Sequence, residues 1–187
     1  MHMSKLKRIG IVAAVGGVVA ALAATAGAAD STLPQGSEPV SLNPAEFTTQ
    51  IDNPYWPMTP GSRWVYREQD GSERLRVEVK VTQRIRQIAN GIEARVVRDV
   101  VTHKGEPVEV TDDWYAQDSA GNIWYLGEDT AEYRNGKVVS HAGSFEAGVD
   151  GAQPGIAMPA NPVDGMTYRQ EYYAGSRGGQ GRGPEPG

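Results

Sequence analysis

Cysteine is missing from this 187-residue chain. That absence removes disulfides, Cys-ligated zinc, iron–sulfur clusters, a thiol nucleophile and a lipid-modified N-terminal Cys from consideration. Histidine is scarce: beyond His2 at the N-terminus the chain offers His103 and His141, too few for a zinc or other transition-metal site. Basic residues are in deficit, with 18 Lys and Arg against 23 Asp and Glu. Lys5, Lys7 and Arg8 belong to the leader described below, so the rest of the chain is more acidic than the whole-chain charge of −5. A surface of that sign argues against nucleic acid as a partner. No Gly-x-Ser-x-Gly elbow, P-loop or His-Glu-x-x-His occurs, and the reading is non-enzymatic. The scattered Met58, Met158 and Met166 read as core filler rather than copper ligands.

What is present begins with a secretory leader over residues 1–29. A basic start precedes an apolar run from Ile9 to Ala24, and Ala26-Gly27-Ala28 supplies small residues where a signal peptidase reads. Cleavage near Ala29 would give an exported protein, extracellular or in the cell envelope. Membrane attachment would arise only through an uncleaved leader. Residues 30–51, rich in Ser, Pro, Gly and Asn, read as a linker, with Asn43 as a cap for one helical turn at Pro44 to Phe47. A β domain spans 52–173. The final 174–187, Gly-rich and without large apolar side chains, reads as a disordered tail.

Within the domain, aromatic and β-branched residues alternate between Gly-containing turns at Asp70-Gly71, Asn90-Gly91, Lys104-Gly105, Gly121-Asn122 and Asn135-Gly136. Turns spaced about ten residues apart, with no sustained helical period, predict a mainly β antiparallel meander forming a barrel or sandwich. The longest alternating run places Leu75, Val77, Val79, Val81 and Ile85 on one face, with Arg74, Arg76, Glu78, Lys80, Arg84 and Arg86 on the other. The doubled valines at 96–97 and 100–101 suggest burial on both faces or a bulge. Residues 144–162 carry so much Gly and Pro that a long packed-down loop is expected, and Gly165 to Tyr173 is the last strand candidate.

The organising stretch is Asp112 to Asp129, where Trp114-Tyr115 and Trp124-Tyr125 flank a polar tip at Asp118, Gly121 and Asn122. A second aromatic segment, Asp52 to Tyr66, holds three prolines in its first half and so carries Tyr55, Trp56 and Met58 on an extended or turning path. A plug closing one end of the β structure is preferred there to a stacking platform, since large aromatics are more often core than site. The candidate ligand-binding residues are therefore Tyr55, Trp56, Trp114, Tyr115, Trp124 and Tyr125, for a small apolar or aromatic ligand or an envelope protein partner. The candidate metal set is Asp118, Asn122 and Glu128, with calcium as the ion; the tip lacks the alternating ligands and distal Glu of an EF-hand. Asp113 and Glu128, on adjacent strands, form the candidate carboxylate pair of a hydrolytic alternative.

Gly61-Ser62-Arg63-Trp64 approximates the Gly-x-Trp start of lipocalins with one residue too many, so the fold is lipocalin-like at most. Over Asn53 to Tyr66 and Trp114 to Glu128 the chain resembles a family of uncharacterised exported bacterial proteins. These pair a Pro-Gly-x-x-Trp-x-Tyr motif with a Trp-Tyr-Ala-Gln-Asp…Gly-Asn-x-Trp-Tyr hairpin. The similarity extends through Ala147 to Gly151 and Tyr168 to Tyr173. It implies export and β structure, and no reaction. Members continue with further strands where this chain enters its Gly-rich tail. The expectation is a β structure incomplete at the C-terminus through a shifted frame or early stop, and, at the extreme, a truncated remnant without activity.

Overall fold

The computed structural model describes residues 33–173; the predicted leader and Gly-rich tail lie outside them. Nearly all of the regular structure is antiparallel sheet, and no α-helix occurs among the described residues. After a 3₁₀ turn at Pro44–Glu46, capped by the Asn43 side chain, come β1 (Phe47–Thr48), β2 (Arg63–Asp70), β3 (Glu73–Gln87), β4 (Glu93–His103), β5 (Glu106–Asp118) and β6 (Ile123–Arg134). They are followed by β7 (Lys137–Ser140), β8 (Phe145–Glu146), β9 (Gln153–Met158) and β10 (Glu171–Tyr172). The curled sheet runs in the order β10-β9-β6-β5-β4-β3-β2, with β1 on β5 and with β7 and β8 on β6.

The turns take the form their residues dictate. Lys104-Gly105 and Asn135-Gly136 both have positive φ at their two central positions, the combination that matches the twist of the strands they join. Loops 89–91 and 119–121 share a second design: the residue before the loop bonds the carbonyl of the residue after it, and the Gly at the third position is left-handed. With these turns fixed, alternation sends β2–β6 residues to one of two faces.

The inner face gathers Ile51, Met58, Val81, Val97, Tyr115, Ile123, Tyr125, Phe145, Ala152 and Ala157 into one core, with Trp56, Trp64, Val79 and Tyr173 at its margin. The outer face, at the hairpin end alone, gathers a second core of Ile88, Ile92, Ala94, Val96, Trp114, Ala116, Trp124, Leu126, Ala147 and Ile156. Val96 and Val97 thus enter different cores, so the doubled valine marks burial on both sides of the sheet. Elsewhere the outer face is polar: Arg63 and Arg76 bind Glu78, and Arg84 and Arg98 bind Asp112. Of the arginines of the alternating run, Arg84 is thus paired across strands with Asp112 and Arg76 within β3 with Glu78.

Four segments differ from the sequence reading. Residues 33–51 are not a free linker: Leu33, Val40, Leu42 and Phe47 cover the outer core, and Arg169 donates to the carbonyls of Gly36 and Glu38. Four apolar side chains spread along a polar segment repay its ordering because the outer core lies beneath them, with Phe47 edge-on to Trp124. Ile85 is 49% exposed rather than buried; it lies past the point where β3 slips register against β4, between Val81 and Ile85. Residues 153–158 form β9 on β6 despite Pro154 and Gly155; a Cβ at Gly155 would collide with the carbonyls of Arg169 and Gln170, so a glycine is what lets that backbone pass. The last strand candidate shrinks to Glu171–Tyr172, which pairs with β9.

Candidate functional site

Register places a continuous acidic and aromatic field on the inner face beyond the core. β2 contributes Trp64, Tyr66 and Glu68. These stand across from Val79, Val77 and Leu75 of β3. Val79 pairs with Asp99 of β4, Asp99 with Thr111 of β5, and Thr111 with Thr130 of β6. The next inward position of β5 is Asp113, directly opposite Glu128. Trp64, Tyr66, Asp99, Asp113 and Glu128 are all half-buried.

The centre of the field is a phenol between two carboxyls. The Tyr125 hydroxyl lies 2.8 Å from Asp113 Oδ1 and 3.1 Å from Glu128 Oε2. A phenolic hydroxyl has one hydrogen to donate, so both contacts are satisfied together only when one carboxyl is protonated. Burial and then the neighbouring Glu128 push Asp113 well above the ordinary carboxylate range, against the pull of the Tyr125 hydroxyl. Asp99 is pushed up to about 7 by burial and by the carboxylates Glu109, Glu68 and Glu128; its Oδ1 is buried and accepts no hydrogen bond. Tyr66 rises through burial and the charge of Asp99, which places those two groups in one electrostatic neighbourhood.

A bulge creates this geometry. Trp114 pairs with Gly127 but Tyr115 pairs with Tyr125, leaving Leu126 as the extra residue. Tyr125 and Glu128 consequently share the inner face although three positions separate them, and Tyr125 can stack on Tyr115 at 5.1 Å. Gly127, at φ 141°, brings the Trp114 ring and the Phe145 carbonyl so close that a Cβ would strike both.

The six predicted ligand residues separate into three groups. Tyr115 and Tyr125 are buried in the inner core, Trp114 and Trp124 in the outer core, so strand alternation divides each Trp-Tyr pair between opposite faces. Tyr55 is 43% exposed, and Trp56, half-buried, packs edge-on against Tyr115 at 5.6 Å. Met58, 1% exposed, is the plug of that segment. No family model, curated protein or solved structure matches the chain.

The predicted oxygen-ligand trio does not converge. Asp118 accepts from the Asn122 backbone N–H at 2.8 Å, from Asn122 Nδ2 at 2.9 Å and from Trp124 Nε1 at 2.7 Å. Its carboxylate therefore organises the hairpin tip. Glu128 is opposite Asp113, five residues back along β5 from Asp118, or roughly 17 Å at the rise of a strand. Among the described residues no three His, Asp or Glu side chains are placed to hold one metal ion. The Asp113 and Glu128 pair, by contrast, is brought together.

A fastening role for three residues at this end, Asn122 of the predicted metal set among them, is absent from the sequence reading. Gln117 accepts from the Asp52 and Asn53 N–H groups and donates to Asp52 Oδ1. Asn53, 2% exposed, donates to the carbonyls of Gly121 and Pro159. Asn122 accepts from the Ala160 N–H. Together they fasten the aromatic segment to the hairpin tip. Asn53 before Pro54 is a turn signal in the sequence, but its partners are 68 and 106 residues away and leave no local trace. A separate groove of about 310 Å³ on the outer face is walled by Arg84, Arg86, Asp112 and Trp114, with the Arg86 guanidinium 3.9 Å above the Trp114 ring and held by Glu146.

Proposed function

We propose that this chain is an exported, non-catalytic binding domain whose inner sheet face takes a ligand with a positive charge beside an apolar or aromatic body. The observation that carries the reading is the half-buried Asp99, whose buried oxygen lacks a hydrogen-bond partner while three further carboxylates act on it. A cation is the group that such a site would stabilise, and the flanking Trp64 and Tyr66 offer indole and phenol faces that suit organic cations. The test is titration of tryptophan fluorescence at pH 8, where Asp99 is ionised, with benzyltrimethylammonium as probe and benzyl alcohol as neutral control. Saturable quenching by the cation alone is expected. It should weaken in 0.5 M salt, weaken at pH 6, and fall about tenfold in Asp99→Asn, the size of one charge-assisted contact. An equal response to the alcohol, or none to either, would end the reading.

A hydrolytic second reading has one specific observation behind it: Asp113 and Glu128 share the Tyr125 hydroxyl, which brings two carboxyls with different surroundings within reach of one bond. It ranks second because Tyr125 is 6% exposed and occupies the space between them. Turnover of 4-nitrophenyl glycosides that Glu128→Gln abolishes, without loss of folding, would reverse the ranking.

A further inference from the structure

The sheet ends at β2, which pairs with β3 and with no other strand among the described residues. The pairing phase is set at both ends of that hairpin: Val81 donates to the Ser62 carbonyl, and Asp70 faces Glu73 across a two-residue turn with Gly71 at φ 58°. In an antiparallel ladder bonded residues alternate with unbonded ones, so Trp64, Tyr66 and Glu68 bond to β3. The N–H and C=O groups of Arg63, Val65, Arg67 and Gln69 point the other way, along an eight-residue edge. That edge adjoins the acidic field, since Glu68 acts on Asp99 and Asp99 on Tyr66.

We infer that an extended basic peptide segment, with Lys or Arg at alternate positions and uncharged residues between, adds to β2 as an eighth strand of the main sheet. The inference rests on the binding reading above and names the occupant of the same face. Backbone groups of the peptide would meet the outward groups of β2. Its alternate side chains would lie beside Trp64, Tyr66 and Glu68 on the inner face, where charge complementarity calls for cations. The intervening side chains fall on the outer face beside Arg63 and Arg67, where a further cation is disfavoured. A second copy of this chain fits poorly through the same outward groups with faces matched. It would double the carboxylates on one face and the arginines on the other.

The probe is a capped eight-residue peptide of alternating Lys and Thr carrying a fluorophore, titrated with the full-length protein at pH 8 and read by anisotropy. Saturable, salt-sensitive binding is expected. It should drop at least tenfold when the peptide is N-methylated at alternate residues in one of the two phases and not the other, because only one phase faces β2. Val65→Pro in the protein should cause a similar loss, since that N–H points away from β3 and its removal leaves the β2–β3 hairpin intact; unchanged circular dichroism and melting temperature check this. Binding that ignores both N-methylation and Val65→Pro would overturn strand addition while leaving the cation site standing if benzyltrimethylammonium still binds. Loss of both ligands' binding would sink the two readings together, and a concentration-dependent dimer abolished by Val65→Pro would assign the edge to a second copy instead.

Discussion

Asp99 holds the most consequential side chain in the domain because its protonation is coupled to folding. Burial and the carboxylates Glu109, Glu68 and Glu128 raise it to about 7 in the native state, against about 3.9 in an unfolded chain. A group raised on folding favours the native state most below its unfolded pKa, and that contribution is lost as pH rises through the native value. Stability should therefore fall between about pH 4 and pH 7, by roughly 2–4 kcal/mol from this residue. Asp99→Asn should flatten that slope and melt higher than wild type at pH 8, with little difference at pH 4.5, in urea titrations at the two pH values. Asp118, unlike Asp99, is held by hydrogen bonds. Its three N–H donors make it a tip organiser, so Asp118→Ala should cost about 1–3 kcal/mol. The loss should be the same with calcium or with chelator, as thermal unfolding would report; a calcium-dependent rise in melting temperature that the variant removes would restore the metal reading.

At the scale of elements, the meander was readable because each Gly turn announces its own geometry and each strand repeats with period two. β7 at Lys137–Ser140 has the bounds the turn at Asn135-Gly136 implies. Legibility failed where a distant partner decides the outcome. Gly127 would interrupt a strand on propensity, yet β6 runs through it because the bulge lets Phe145 and Trp114 close over the missing side chain. Gly127→Ala should therefore cost at least about 3 kcal/mol, through the strain of φ 141° and the displaced ring. Urea titration would measure the loss, and wavelength-resolved tryptophan emission would show Trp114 becoming wetter. β9 was hidden in the same way, since Pro154 and Gly155 read as loop until β6 and residues 169–170 bracket them.

Across the whole molecule, the candidate site was legible in residue type and illegible in placement. The Trp-Tyr pairs were visible as aromatic wealth. Which ring joins which core depends on alternation plus one bulge, and Trp64 and Tyr66 rather than Trp114 and Trp124 flank the acidic field. The strap at 33–42 was missed because its composition is that of a linker and its anchor lies at the far end of the chain. Arg169, 5% exposed, donates to the carbonyls of Gly36, Glu38 and Pro154 at 2.7, 2.7 and 3.0 Å. Arg169→Met would leave those acceptors without their donor and should lower stability by roughly 2–4 kcal/mol. Hydrogen exchange should show faster exchange at Arg169 and Ile156, whose N–H groups bond Pro34 and Arg169 carbonyls.

That strap also sets an order of events for the nascent fold. β2 through β6 are joined by tight hairpins, so their ladders form between near neighbours and need close only short stretches of chain. The strap reaches its anchor across a separation of 131 to 133 residues, and closing so long a stretch carries the larger entropic cost. The hairpins therefore assemble ahead of the clasp. For that interval the part of the outer core that Leu33, Val40 and Leu42 cover stands open to water, which makes it the surface through which half-finished copies would stick to one another.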